Sequence, residues 1–387
     1  MIVFFLVVLL IYGGLNTYVG LRTWQWLHVI APLPVPRALY WVVFWLMACS
    51  FIIARLVAGR VPLVVTQLLA WIGSYWLATF LYAVLLLTLI DLVRLLNHWT
   101  GILSALHIPT SSLIGYTGAA VCVTLLAVVL YGTWRARTPV VTDYAITVPK
   151  RAGPHRDLTI ALVSDTHLGY TNGNGRIREM VAMVNSLQPD LILIAGDLID
   201  DTMEPFLVEG MATELGSLQA RIGTYAIMGN HDARTEQLTV FRAELERVGI
   251  RLLIDEWITV KDSFVLAGRN DNTVPRSSGT VAPIAELLRD VDRALPLIMM
   301  DHNPIRFADS VAAGVDIQVS GHTHAGQMFP FTLITQRVYG KDWGYLKQQA
   351  THVIISSGFG TWGPPMRVGT RPEVVRIRVT FAPQDGP

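Results

Sequence analysis

The chain has 387 residues, 52% of them hydrophobic and 15% charged, with a formal net charge of +1. A soluble domain carries about 25% charged residues, so this composition excludes a disordered chain, and the near-neutral balance excludes nucleic-acid binding by bulk electrostatics. The two cysteines, Cys49 and Cys122, both sit in apolar runs, which excludes a disulfide framework and a cysteine-rich zinc site.

The charge is unevenly spread. Residues 1–134 hold only Arg22, Arg37, Arg55, Arg60, Arg94 and Asp91, together with eight of the 11 tryptophans. A bilayer core needs roughly 20 apolar residues of helix. Four runs meet that length: 1–20, 38–58, 64–93 and 113–134. Pro32, Pro34 and Pro36 separate the first two, Gly59 and Pro62 close the second, and the polar stretch 97–112 precedes the fourth. The first run lacks the basic start and small-residue cleavage site of a signal peptide, so it reads as a span. The third is long for one span; tilt, protrusion or a break at Gly73–Ser74 are all open. Asp91 and Arg94 lie one turn apart near its end and read as an interfacial pair rather than an ion relay. Trp24, Trp26, Tyr40, Trp41, Trp99 and Trp134 read as interfacial anchors.

Four spans place both ends of the chain on one side. That side carries Arg55, Arg60, Arg135, Arg137, Lys150 and Arg151, and the other Arg22, Arg37 and Arg94. The positive-inside rule then puts the C-terminal part in the cytoplasm. The expected division is a helical membrane domain over 1–134, a linker over 135–157 and a globular domain over 158–387.

From Leu158 the pattern changes. Leu158–Ser164 reads as a strand and runs into Asp165-Thr166-His167. Asp190–Ala195 is followed by Gly196-Asp197, and Gly223–Met228 by Gly229-Asn230-His231-Asp232. Leu297–Met300 leads to Asp301-His302-Asn303-Pro304, and Asp316–Ser320 to Gly321-His322-Thr323-His324. Helical periodicity appears between them at 177–187 and 236–248. Alternating strands and helices predict a layered α/β domain.

Strand ends can gather their side chains on one edge of a sheet, where loops carry function. The groups delivered are Asp165, His167, Asp197, Asn230, His302, His322 and His324. Nitrogen and oxygen donors without thiolate suit Mn, Fe, Zn or a similar divalent ion. Seven exceed the three or four protein ligands of one catalytic zinc and fit two adjacent divalent metal ions. Asp197, alone after its strand, is the natural bridge because a carboxylate has two oxygens to divide.

Five such motifs in this order, each after an apolar strand, resemble the calcineurin-like metallophosphoesterases. Gly321–Gln327, with the stretches Ser357–Gly360, Pro365–Arg367 and Pro372-Glu373, is similar to a bacterial subgroup of membrane-associated phosphohydrolases. The resemblance covers residues 155–380. It implies a four-layer (α-β-β-α) sandwich behind the helical membrane domain of about four transmembrane helices. It also implies one ion on Asp165, His167, Asp197 and His324, and a second on Asp197, Asn230, His302 and His322. The activity implied is hydrolysis of a phosphomonoester or phosphodiester, with a phosphorylated small molecule or a lipid, lipid-linked or nucleotide-linked, as substrate and the bilayer as partner. His231 is then the group that stabilises the phosphate or protonates the leaving oxygen. Asp232 is expected to orient the His231 imidazole and to cap a helix from Ala233. His155 and His352 read as structural, 171–175 as a loop at the site edge, and Arg367 as either a phosphate contact or a solvated side chain. The competing function is a membrane transporter or sensor regulated by a metal-binding domain; Gln67 and the Asp91–Arg94 pair are the polar groups that would serve it.

Overall fold

The computed structural model describes residues 2–31, 36–101, 108–200, 202–232, 237–271 and 283–382. The chain divides into two compact units, Met1–Thr133 and Trp134–Pro387.

Four helices carry the first unit: α1 (Ile2–Ile30), α2 (Arg37–Val57), α3 (Leu63–Thr100) and α4 (Thr110–Ala136). All four are long and apolar enough to cross a membrane. The long third run is one unbroken helix of 38 residues, continuous through Gly73–Ser74, which at 1.5 Å per residue reaches about 57 Å. Gly73 serves packing rather than bending: a Cβ there would overlap the backbone nitrogen of Phe51 on α2. Small residues let helix backbones approach where the apolar solvent gives no drive to associate. Some polar groups inside the unit satisfy one another. Asn16 donates to Tyr12 O at 2.9 Å and accepts from Trp76 Nε1 at 3.0 Å. Asp91 accepts from Arg94 at 3.2 Å, as the spacing predicts, and also from Arg22 at 2.7 Å and Tyr18 at 2.6 Å.

Among the described residues the second unit holds twelve strands. The first half comprises β1 (Val140–Val148), β2 (Asp157–Val163), α5 (Asn174–Ser186), β3 (Leu191–Ala195), α6 (Glu204–Val208), α7 (Met211–Leu215), β4 (Gly223–Ile227), α8 (Leu238–Arg247) and β5 (Ile250–Leu252). Then follow β6 (Glu256–Val260), β7 (Phe264–Gly268), α9 (Ile284–Leu287), β8 (Leu297–Met300), α10 (Phe307–Ala312) and β9 (Ile317–Ser320). The chain closes with α11 (Phe331–Tyr339), β10 (Gly344–Gln348), β11 (Thr351–Ile355) and β12 (Glu373–Phe381). Two six-stranded sheets form, in the orders β1-β12-β2-β3-β4-β5 and β10-β11-β9-β8-β7-β6.

Alternation along the strands builds the layers. In β2, Leu158, Ile160 and Leu162 point into a core shared with Leu266, Ile298, Met300 and Val319 of the other sheet. Ala161 and Val163 point the other way, against Ile177, Met180, Phe206 and Phe241 of the helices. In β8 the same alternation sends Leu297 and Met299 outward to Ile284 and Leu287 of α9. The result is the expected four-layer α-β-β-α sandwich. Truncating a side chain such as Leu162, fully buried between the sheets, would cost about 2–5 kcal/mol.

The segment 135–157 departs from the linker reading. Its central part is strand β1, paired in parallel with β12 from Val140↔Glu373 to Val148↔Phe381. Both β1 faces are only partly covered along its first half, which is the pattern of an edge strand. Its partner lies at the far end of the sequence, where local pattern cannot reveal it. The helix expected over 236–248 is α8, from Leu238; Glu236 lies outside the described residues.

Candidate metal centre

Strands β2, β3 and β4 run parallel in one sheet, and β7, β8 and β9 in the other. Their C-terminal ends therefore discharge their loops at a common edge. Five donors there, Asp165, His167, Asp197, His322 and His324, hold positive φ between 45° and 73°. Left-handed backbone costs a non-glycine residue about 1–2 kcal/mol, so the loops must be held by other contacts. Asp165 N–H and His167 N–H donate to Gly196 O and Asp197 O, both at 3.0 Å. Gly321 N–H donates to His302 O at 3.0 Å, and Gly360 N–H to Asp165 O at 2.8 Å. Backbone strain of this kind concentrates at functional sites. Gly229 is there because a Cβ in its place would overlap the Asp197 carboxylate.

The side chains fall into two groups. Oxygen or nitrogen atoms of Asp165, His167 and His324 lie within 4.8 Å of one another, and so do those of Asp197, His302 and His322. In the first, His167 Nε2 and His324 Nε2 approach to 3.0 Å, and His324 Nε2 lies 3.6 Å from Asp165 Oδ1. In the second, His302 Nε2 lies 3.2 Å from Asp197 Oδ2. Asn230 Oδ1 joins it at 2.7 Å from His322 Nδ1. One oxygen, Asp197 Oδ2, faces both groups, since His167 Nε2 is 3.7 Å from it. Asp197 Oδ1 is occupied by the N–H of His231 at 2.8 Å. The two oxygens of Asp197 are therefore not shared out between the groups, as expected, but divided between the centre and the backbone.

The residues fit a metal. The donor set is imidazole, carboxylate and carboxamide. His302 places Nδ1 at 2.7 Å from the Ala195 carbonyl, which keeps a proton on Nδ1 and turns Nε2 toward Asp197 Oδ2, 3.2 Å away. That Nε2 is buried with no other partner among the described residues, and it would become a ligand when a cation displaces its proton. The charges are correspondingly perturbed. Burial, then the neighbouring Asp197 charge, pushes Asp165 up to about 6. Asp197 is just as buried, yet His302, His167 and His231 hold it below the usual carboxylate range. For His302, burial is overcome by Asp197 and Asp165, which raise it well above the ordinary imidazole value. Burial pushes His322 down to about 4 and His324 well below its ordinary value, with His302 and His167 adding to each.

Around the donors, three side chains differ from expectation. Asp232 does not turn to the His231 ring. Its carboxylate is fully buried and accepts from the N–H groups of Leu198 at 3.2 Å, Ile199 at 2.9 Å and Gly229 at 2.9 Å. It ties the β3 loop to the β4 loop; the stretch 233–236 that it was expected to cap lies outside the described residues. The carboxylate facing His231 is Asp200, whose Oδ1 is 3.5 Å from His231 Nδ1. Asp200 sits three residues after Asp197, and that adjacency was its only signal in the sequence. Arg367 is neither solvated nor exposed: it is fully buried and donates to Gly358 O at 3.1 Å and Gly360 O at 2.7 Å, with Nη2 3.2 Å from His324 Nδ1. Of the 171–175 stretch, Asn174 and Gly175 open helix α5. His352 is structural, its Nδ1 2.9 Å from the Tyr345 hydroxyl.

The arrangement coincides with a known family. Residues 158–326 match the model of the calcineurin-like phosphoesterases. An uncharacterized metallophosphoesterase of Aquifex aeolicus is 30% identical over 230 residues, covering 58% of this chain and 85% of the relative. The chain belongs to the calcineurin-like metallophosphoesterases. Other similar proteins include a transmembrane protein with metallophosphoesterase domain from Bos taurus, 33% identical over 264 residues, 64% of this chain and 59% of the relative. Its counterpart in Danio rerio is 32% identical over 253 residues, 62% of this chain and 57% of the relative. The chain thus spans under two thirds of the length of these two relatives. Vertebrate and bacterial proteins both appear among the similar metallophosphoesterases, so the likeness extends beyond a bacterial subgroup.

Proposed function

We propose that this metallophosphoesterase hydrolyses a phosphoester, monoester or diester, at a dinuclear metal centre anchored to a membrane. One ion would be held by Asp165, His167, Asp197 and His324, and the other by Asp197, Asn230, His302 and His322. The observation that carries the reading is Asp197 Oδ2, which faces an imidazole of each group at 3.7 and 3.2 Å. Asp197 is therefore the residue that would serve both ions. When bound, such ions supply a water made acidic enough to yield a nucleophile near neutral pH and draw charge from the phosphoryl oxygens.

The chain's own residues do the rest. His322 is fixed by its N–H, which donates to Asp165 at 2.9 Å, so the two donor groups keep their mutual geometry as substrate enters. His231 is buried beside the cluster, its ring 4.8 Å from that of His167. With Asp200 facing Nδ1, it presents its other nitrogen to the phosphate and gives a proton to the leaving oxygen as the phosphorus–oxygen bond breaks. The nucleophilic oxygen ends on phosphorus, and the alcohol leaves protonated. Hydrogen bonds aimed at the developing charge contribute most of the catalysis in this kind of transfer.

The membrane-spanning helices keep this unit at a bilayer, which raises the local concentration of lipid-borne phosphates. The excess of Arg and Lys beside the C-terminal unit supports a cytoplasmic orientation at a bacterial plasma membrane. Full-length protein supplied with Mn should hydrolyse an aryl phosphate ester, and Asp197→Ala should lose that activity. Full, metal-dependent activity in the variant would refute the site.

A further inference from the structure

Helix α11 has its faces reversed. A helix on a soluble surface turns its apolar stripe inward and its polar stripe to water. In α11 the inward stripe is Thr332, Thr335 and Tyr339, at i, i+3 and i+7. Thr335 donates to Asp342 Oδ2 at 2.7 Å, and the Tyr339 ring lies 6.0 Å from that of His322. The outward stripe, at the same spacing, is Phe331, Ile334 and Val338, which are 42%, 53% and 57% exposed. No side chain of this helix is fully buried. Phe329 and Trp343, which flank the helix in sequence, and Trp362 are half-exposed as well. Trp362 is itself seated against the catalytic candidate, its ring 5.7 Å from that of His231. Exposed Arg337 lies on the flank of the stripe.

An exposed apolar patch of this kind needs a covering medium. Aromatic and aliphatic tips with a cationic flank match the acyl–headgroup boundary of a bilayer, and the four membrane-spanning helices of the same chain keep a bilayer within reach. We propose that the outward stripe of α11, with Phe329, Trp343 and Trp362, inserts into a lipid surface. The mouth of the metal site, between Tyr339 at one edge and Trp362 at the other, then opens at headgroup level. This rests on the phosphoesterase reading and narrows it: the substrate is a phosphate ester whose hydrophobic part stays in the bilayer.

The test uses the full chain in phosphatidylethanolamine–phosphatidylglycerol nanodiscs, with Cys49 and Cys122 replaced by Ser. A spin label is placed through Ile334→Cys, or through Gln336→Cys on the opposite flank. The label at Ile334 should collide with oxygen and be shielded from a water-soluble nickel chelate, and the label at Gln336 the reverse. Equal access of the chelate to both would overturn the proposal, and so would dipolar broadening between labels, which would show a second copy covering the stripe. Ile334→Asp with Val338→Asp should admit the chelate to a label placed through Phe331→Cys while leaving the rate on a soluble aryl phosphodiester unchanged. A fall in that soluble rate would show that the stripe merely packs the site, and would also overturn it. If the unsubstituted protein hydrolyses no ester but Ile334 is still shielded, the phosphoesterase reading fails and the lipid contact stands.

Discussion

Asp232 and Asp200 offer the sharpest separation of structural from chemical roles. Replacing Asp232 by Ala removes the acceptor of three N–H groups, those of Leu198, Ile199 and Gly229, in a place closed to water. Each buried donor left without a partner costs about 1–3 kcal/mol, so the loss should be at least about 3 kcal/mol. For a unit of this size 1 kcal/mol moves the melting temperature by roughly 2–4 °C, which gives a fall of about 6 °C or more in the metal-free protein. Asp232→Asn keeps one acceptor oxygen and should lose about half as much. Asp200→Asn should behave oppositely, leaving the melting temperature within a degree or two and lowering kcat, because the carboxylate 3.5 Å from His231 Nδ1 acts through that imidazole. Scanning calorimetry and steady-state kinetics on the two variants decide the matter. An Asp232→Asn protein with unchanged melting temperature and a collapsed kcat would return the orienting role to Asp232 and refute the assignment.

Metal affinity should rise with pH. Binding requires neutral imidazole and ionised carboxylate. Asp165 is held up at about 6 and His302 well above its ordinary value in the metal-free site, so both keep protons that an incoming cation must displace. His322, His324 and Asp197 are shifted the other way and are already in the ligating form near pH 7. The apparent affinity for Mn should therefore strengthen as pH rises from about 6, with protons released into the buffer; titration calorimetry in buffers of different ionisation enthalpy measures both. Arg367→Met should leave the Gly358 and Gly360 carbonyls without their buried donor and lower stability by about 2–5 kcal/mol, and Arg367→Lys should recover little of it, which thermal denaturation checks.

The candidate ligand positions are legible because each follows an apolar strand, and parallel strands bring their C-terminal ends to one edge. Asp165, Asp197 and His302 need no long-range information beyond that. Long-range partnership is what the sequence concealed. Strand β1 has exposed residues at alternate positions and meets β12 across more than half the chain, so it read as a connection. Arg367 carries a charge and sits among Gly and Pro, so it reads as a phosphate contact or a solvated side chain; only the convergence of two glycine carbonyls and the His324 loop explains its burial. Asp232 stands next to His231 in the sequence, but consecutive side chains in a tight loop point apart, and Asp200 from the preceding loop takes the place beside the imidazole. The reversal of α11 escapes sequence periodicity too, since a stripe at i, i+3 and i+7 ordinarily marks the face that packs inward.

The account depends on Asp197 Oδ2 joining two metal ions. The direct measurement is metal content per chain by elemental analysis of the Mn-loaded full-length protein beside Asp197→Asn, with anomalous scattering to locate the ions. Two ions within a few ångströms of Asp197 in the native protein, falling to one or none in the variant, is the expected result. A single ion in the native protein, or a pair that survives Asp197→Asn unchanged, would contradict it.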